Sequence, residues 1–567
     1  MGKLSKKLVS IITTAVVALG ITFTSIPAME TKAVTSIDSN GTKFDDGIKS
    51  YIDNNNVESN SATDYGLPTK IIDGSILHAW CWSFNVIKEN MKAIAESGYG
   101  TVQTSPAGIC KAGDNGGLSL MSPENGGTGK WWYHYQPTDF KLGNYQLGTE
   151  EEFKAMAQEA KKYGIKVIVD VVLNHCTSDY GAISDNVKNI PGGAFHNNGG
   201  IPNYDSRWNY TQCNLLNLID LNTQNVNVQN YVKKYLQDTI AAGASGFRYD
   251  AAKHIELPDD SGFGSDFWPN VTQNGSEFQY GEVLQGNNER IEEFGKWMGV
   301  TASNFGKDLR DKIGAKNLNA GNFTNLQVGL PANKLVTWVE SHDNFCNGPN
   351  DWGASCWMND WQIRMGWAII GARANGAPLF FSRPQGSDAN LQWSGKSKIG
   401  DIGNDNFKHP EVVAVNKFKN AMLGENENLR NPDGKNNCIM IERGNKGVVI
   451  ANMGSQFDIR CKTSLKDGTY TDTVYGGTYT VSGGNFTGGS IPDGKIVVLY
   501  DHVVTSGAKV SSSVPSGKFK GESLSVTLSV SGANSGTYSV DGGSEKSFTN
   551  GTTITVGQNL QNGESTK

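Results

Sequence analysis

At 567 residues the chain is too long for one compact core and divides into about three or four domains. A formal net charge of −6, from 50 basic and 56 acidic side chains, leaves no electrostatic footprint for nucleic acid and suits a neutral, polar substrate. Eight cysteines without a CxxC pair or a Cys/His zinc spacing point to a few disulfides or buried thiols rather than metal chemistry, with Cys346 and Cys356, and Cys438 and Cys461, as partners close in sequence.

In chain order, Lys3, Lys6 and Lys7 precede the apolar run Leu8 to Phe23 and the small residues around Ala28 and Ala33, which reads as a secretory signal peptide over residues 1–33. A retained anchor helix is the alternative, but Thr13, Thr14 and Thr22 interrupt a run already short for a span of about 20 residues. No other long apolar stretch follows, so the mature protein is expected to be secreted and soluble, without stable membrane association. A polar linker occupies 34–65.

Strand and helix patterns then alternate. Ser75 to Trp80 reads as a strand, Asn85 to Ser97 as a helix closed by Gly98, and Tyr99 to Thr104 as a strand. Thr149 and Glu152 form a capping-box pattern, Phe153, Met156 and Ala160 share one helical face, Gly164 ends it, and Ile165 to Val172 is a fully apolar strand. The helix around Tyr231, Val232, Tyr235, Leu236 and Ile240 ends at Gly243 and feeds the stretch Gly246 to His254. Repetition through Phe278 to Val283, Lys334 to Glu340 and Pro378 to Ser382 predicts a parallel (β/α)8 barrel over 66–175 and 219–420, with its active site at the C-terminal strand ends. Residues 176–218 carry no barrel element. From 421 to 503 short β-prone runs such as Gly447 to Ala451 and Lys495 to Tyr500 predict an antiparallel β-domain. Within 504–567 a Ser/Gly-rich connection precedes a partial β-module marked by Leu524 to Val530 and Thr552 to Val556.

Period-two alternation points Arg248 and Asp250 the same way, and a guanidinium beside a carboxylate keeps it ionised. Such a pair is either structural or a nucleophile held ready. Other strands end in Asp170 to His175, in Gly281-Glu282-Val283, and in Glu340-Ser341-His342-Asp343-Asn344, which places Asp250, Glu282 and Asp343 around one cleft. Any one could be structural, but unpaired clustered carboxylates repel one another, so stability explains the set poorly.

The fragments DVVLNH at 170–175, LIDLN at 218–222, GFRYDAAKH at 246–254, GEVL at 281–284 and VESHDN at 339–344 resemble, in order and spacing, the conserved regions of the α-amylase family of glycoside hydrolases. The resemblance runs from about residue 70 to 500 and is strongest to the secreted saccharifying α-amylases of bacilli. It implies a retaining endo-hydrolase of α-1,4-glucosidic bonds in starch, acting as a monomer, with Asp250 as nucleophile, Glu282 as acid and base, and Asp343 as transition-state stabiliser. Arg248 would keep Asp250 anionic, while the neighbouring aspartates would leave Glu282 protonated at the start of the cycle. It further implies sugar contacts from Trp131, Trp132, Tyr135, Gln136, His175, Lys253, His254 and His342; by themselves these aromatics and histidines also read as packing or ordinary polar residues. The segment 176–218 would be the small domain this family inserts after the third strand, pinned by calcium through Asn174 and Asp220 and the carbonyls of Thr211 and His254. Ser341 and Leu379 stand where chloride-dependent members carry an asparagine and a basic residue, so no chloride requirement is expected. The polar tail suggests that part of a starch-binding module is missing.

Overall fold

The structure is a computed structural model and describes residues 65–112, 120, 130–286, 289–346, 348, 353–500, 509–514, 523–531, 535–540 and 543–557. The expected signal peptide and most of both linkers lie outside these residues. The chain forms two units, 65–501 and a second that contains the C-terminal sheets.

Eight strands close the barrel of the larger unit: β1 (Ser75–Ala79), β2 (Tyr99–Thr104), β3 (Lys166–Val172), β4 (Gly246–Asp250), β5 (Phe278–Gly281), β6 (Gly299–Thr301), β7 (Leu335–Trp338) and β8 (Ala377–Phe381). Every neighbouring pair is parallel, and β8 returns to β1. Strands buried on both faces need apolar residues at nearly every position, which is why β3 is Val or Ile everywhere except at Lys166 and Asp170. Seven of the eight strands were visible in the sequence. Three-residue β6 is too short to show a period and was missed.

The helices follow local chemistry. The capping box at Thr149 and Glu152 is formed, starting α1 (Glu150–Lys162), whose Phe153, Met156 and Ala160 face the core. Helix α2 (Val226–Ala241) leads through Gly243 into β4. The helix expected over 85–97 is broken at Asn90 into Phe84–Glu89 and Met91–Glu96, with the Asn90 amide nitrogen donating back to Val86 O.

Residues 176–218 hold two short helices, Asp185–Lys188 and Arg207–Gln212, and are tied at the base by the bridges His175 to Asp220 and Phe195 to Leu221. Beyond α3 (Pro410–Ala421), the strands Glu427–Arg430, Cys438–Arg443, Gly447–Asn452 and Ile496–Tyr500 form the expected antiparallel sheet. One face of it, including Ile439, Val449 and Val498, merges with the core against Val415 and Phe418. In the smaller unit, Lys509–Ser512, Leu524–Ser531 and Thr552–Val556 pair antiparallel over a core of Val526, Leu528, Val530, Phe548 and Val556. None of the eight cysteines forms a disulfide, so neither sequence-adjacent pair is bridged; Cys461 Sγ instead lies 3.6 Å from Met440 Sδ. No helix among the described residues is long and apolar enough to cross a membrane.

Candidate active site

Register puts Asp170 beside Arg248 and Val172 beside Asp250, so β3 and β4 present their acidic residues to one point. Arg248 is that point. Its NH1 lies 2.9 Å from both oxygens of Asp170 and 2.7 Å from Asp250 Oδ1, and its NH2 lies 2.8 Å from Glu282 Oε2. One buried guanidinium therefore holds carboxylates from three consecutive strand ends.

Two backbone features aim Glu282. A Cβ on the preceding Gly281 would meet Met298 Sδ at 2.7 Å and Ala252 Cβ at 2.8 Å, so only glycine lets the strand tip approach this closely. Ala251, in the left-handed region at φ 49°, turns its amide to donate to Glu282 Oε2 at 3.1 Å. A non-glycine residue in that region stores strain of about 1–3 kcal/mol, and such strain clusters at functional sites.

Around this floor is a cleft of about 470 Å³ whose walls include Trp131, Trp132, Tyr135, Gln136, His175, Asp250, Lys253, His254, Glu282, His342 and Asp343. The structure thus gathers every sequence-predicted catalytic and sugar-contacting residue except Arg248, which lies beneath and lines an adjoining cavity of about 190 Å³. Tyr135 stacks on His342, with ring centroids 5.1 Å apart at 15°, and its hydroxyl donates to Asp170 Oδ2 at 2.9 Å. Trp131 is divided between roles: it lines the cleft, yet packs edge-on against buried Trp80 at 5.5 Å. Trp132 is 39% exposed and free to meet a ligand. Lys253 pairs with Glu289 at 3.4 Å.

Asp343 sits 3.3 Å from His342 Nε2 and is the most exposed of the three carboxylates, at 45% against 12% for Asp250 and 15% for Glu282. Its turn is braced from behind. Glu340 is buried and takes two bonds from Arg383, at 2.7 and 2.6 Å, and one from Ser355 Oγ at 2.6 Å. Arg383 also donates to the carbonyls of Met358 and Ser355.

Burial and Arg248 act in opposite senses on the two inner carboxylates. Burial drives Asp250 well above the usual carboxylate range, and the neighbouring Glu282, Asp170 and Asp343 add to that against the pull of Arg248. Burial also raises Glu282, but Arg248 and the Ala251 amide outweigh it and hold the group below its ordinary value. Glu282 has an arginine nitrogen largely to itself, whereas Asp250 shares the other with Asp170. Burial lowers His175 and His254 to about 4 each, so both imidazoles are neutral hydrogen-bonding groups at neutral pH.

The four residues expected around a cation lie on linked segments. Leu221 N donates to Asn174 O at 3.0 Å beside the His175 to Asp220 bridge, and Tyr210 O lies 2.8 Å from His254 Nδ1, with Thr211 next in the chain. An amide oxygen, a carboxylate and two carbonyls make an all-oxygen donor set, which fits a hard cation. Asp220 is 2% exposed, and burial followed by Glu256 pushes its carboxyl well up, a penalty that a cation would relieve. Among the described residues no three His, Cys, Asp or Glu side chains form a metal-ligating group, as is natural for a site built on amide and carbonyl oxygens.

Several residues of the site were not anticipated. Asp170 stood inside a quoted motif, at a strand end facing Arg248, and could have been found by register. Leu215, Leu216, Leu218 and Leu284 line the cleft, and nothing in their sequence context sets them apart.

A parallel barrel with three carboxylates and an arginine at its strand tips, beneath an aromatic-walled cleft, defines the class of (β/α)8 proteins with an acidic active-site constellation. The family model for the alpha amylase catalytic domain matches residues 122–304, and that for the alpha amylase C-terminal all-beta domain matches 429–501. An alpha-amylase of Butyrivibrio fibrisolvens is 40% identical over 484 residues, covering 78% of this chain and 48% of the relative. One from Clostridium acetobutylicum is 37% identical over 491 residues, covering 82% and 59%. This chain belongs to the α-amylase family, with both its catalytic and its C-terminal all-β domain, and spans 48% and 59% of the length of these two curated relatives. The fold is shared with alpha-amylase I from Eisenia fetida, at TM-score 0.62 and 19% identity over 77% of this chain and 97% of that one. It is also shared with a gamma-CGTase from an alkalophilic Bacillus clarkii, at TM-score 0.60 and 17% identity over 83% and 76%.

Proposed function

We propose that this protein is an exported α-amylase that hydrolyses internal α-1,4-glucosidic bonds of starch and related glucans with retention. The observation that carries the reading is Arg248 holding Asp250 and Glu282 on two nitrogens of one guanidinium, at the base of a cleft walled by Trp131, Trp132 and Tyr135. Two carboxylates so held suit the roughly 5 Å separation of a retaining pair. Asp250 attacks the anomeric carbon to form a glycosyl-enzyme. Glu282 protonates the departing oxygen, then removes a proton from the water that releases the sugar. Asp343, on its braced turn, stabilises the transition state, and His175, His342 and Gln136 hold the sugar.

The hold of Arg248 on Glu282 sets a condition on this cycle. Glu282 must let go of Arg248 and take up the proton before it can act as an acid. Its release leaves the guanidinium to Asp170 and Asp250, which favours an anionic nucleophile at the moment it is needed.

Asn174, Asp220 and the carbonyls of Thr211 and His254 would hold calcium, which supplies a cross-link between the inserted segment 176–218 and the barrel. Chelation should lower the melting temperature, because an ion bound only by the native state stabilises it. An unchanged melt with and without chelator would remove the site. The domain limits follow the same reading: signal peptide 1–33, linker 34–65, barrel 66–175 and 219–420, insertion 176–218, β-domain 421–503, and a linker with a partial module over 504–567.

The deciding experiment is a time course of soluble starch digestion that follows iodine colour, reducing ends and product anomer together, beside Asp250→Asn. Rapid colour loss with α-anomeric products, absent from the variant, is expected. New linkages without net hydrolysis would point to transfer instead, and glucan binding without reducing ends would point to a binding protein.

A further inference from the structure

The tips of β7 and β8 are joined behind the catalytic turn by a charge pair that solvent barely reaches. Leu379 pairs with Trp338, so the two strands run on side by side to Glu340 and Arg383, whose side chains are 1% and 2% exposed. Arg383 donates twice to the Glu340 carboxylate and once each to Met358 O and Ser355 O. Its guanidinium carbon also lies 4.9 Å from the centre of the Phe345 ring. A buried ion pair is seldom more stabilising than apolar residues of the same volume, because both charges lose their water. Stability is therefore a weak reason for this one.

What the pair encloses is the segment that carries His342 and Asp343. Glu340 precedes Asp343, and Phe345 follows it on the short helix His342–Cys346. Val339 O accepts a bond of 2.8 Å from Arg310, on the helix Ser303–Gly314, and Asn344 O accepts Ser355 N at 2.8 Å. Ser341 closes the turn, its backbone N–H and its hydroxyl donating to Asn344 Oδ1 at 3.2 and 3.1 Å. Asp343 has no such support of its own: among the described residues its carboxylate pairs only with His342 Nε2, at 3.3 Å. Where that carboxylate stands in the cleft thus depends on the backbone from 340 to 345, and Arg383 grips side chains on both sides of it.

We propose that Arg383 is a positioning residue for the reaction: acting through Glu340 and Phe345, it holds the turn on which Asp343 meets the transition state. This inference rests on the retaining-hydrolase reading, in which Asp343 acts as charge develops at the sugar ring. A group needed only at that moment shows in kcat, and misplacing it by about 1 Å costs up to about a hundredfold.

The test measures kcat and KM on soluble starch for Arg383→Lys and for the neutral pair Arg383→Met with Glu340→Gln. Each is made alone and together with Asp343→Asn, with a melting curve for every variant and assays run well below the lowest midpoint. Lysine keeps the charge without the two-pronged grip, and the neutral pair leaves no charge buried alone. Both should lose about tenfold in kcat, with KM changed less than about twofold. Against Asp343→Asn the same changes should cost less than about twofold, because a positioning residue then has nothing left to position. Ser355→Ala removes one bond to Glu340 and should show the same pattern more weakly, which keeps the test open should the arginine variants not fold. Equal losses in both backgrounds would make Arg383 a structural residue, a raised KM at unchanged kcat would tie it to glucan binding, and folded variants at full rate would make it a bystander; each overturns the proposal. If the unsubstituted protein releases no reducing ends from starch, the hydrolase reading falls, and this one with it. If it does, but Asp343→Asn is as fast, only the role of Asp343 and this inference fall.

Discussion

The two ends of the barrel carry charge clusters of opposite design. At the C-terminal end of the strands, one guanidinium, Arg248, serves three carboxylates, Asp170, Asp250 and Glu282. At the N-terminal end, beside the start of β8, one carboxylate, Glu427, is gripped by Arg373 at 2.9 and 2.7 Å and has Lys419 and Arg443 nearby. The lower cluster disposes of its excess positive charge into carbonyls: Lys419 donates to Arg373 O and Gly376 O, and Arg443 to those of Ala372, Met422 and Glu425. Amides and the Tyr135 hydroxyl relieve part of the upper cluster, but Asp250 is left raised and the pair with Glu282 short of positive charge. Unrelieved charge at one face and fully bonded charge at the other separate a site built for chemistry from one built for stability.

The comparison breaks most decisively at Glu282. Replacing it by Gln keeps the size and a hydrogen-bonding oxygen but removes the proton, so turnover of starch should fall by about a thousandfold with glucan affinity retained, as expected for a lost general acid. The melting temperature should change little. A variant that kept its rate but melted early would place Glu282 with the structural charges of the lower cluster.

What was legible in the sequence follows the same division. Asp250 and Arg248 could be placed together because a strand alternates with period two, and Glu282 and Asp343 because strand tips end in polar residues. The environment of each carboxylate could not. It depends on which nitrogen of Arg248 each carboxylate meets and on the Ala251 amide, turned inward by a left-handed residue that no pattern announces. Strand β6 has three residues and no period to detect, yet without it the barrel does not close. The rim was least legible. Leu216 has an exposed side chain and a left-handed backbone, neither of which leaves a mark on the sequence.

A smaller effect sharpens the comparison from below. Burial, and then the neighbouring Arg443, lowers Lys419 to about 7, whereas in an unfolded chain it would titrate near 10.4. Below pH 7 both states carry the proton, and the folded state bears the full cost of a buried ammonium beside two arginines. Between pH 7 and about 10 the unfolded chain keeps a proton that the folded one has released, so this group's contribution to stability rises with pH. Lys419→Met has nothing to titrate. Its loss of bonds to Arg373 O and Gly376 O adds a constant offset, so only the slope reports the lysine. Unfolding free energies measured by denaturant at pH 7 and pH 8.5 should show the unsubstituted protein gaining about 2 kcal/mol on the variant, with starch turnover the same for both at each pH. Parallel stability curves would mean that Lys419 stays charged, held by its two carbonyls and Glu427, and that the lower cluster tolerates buried charge as the upper one does.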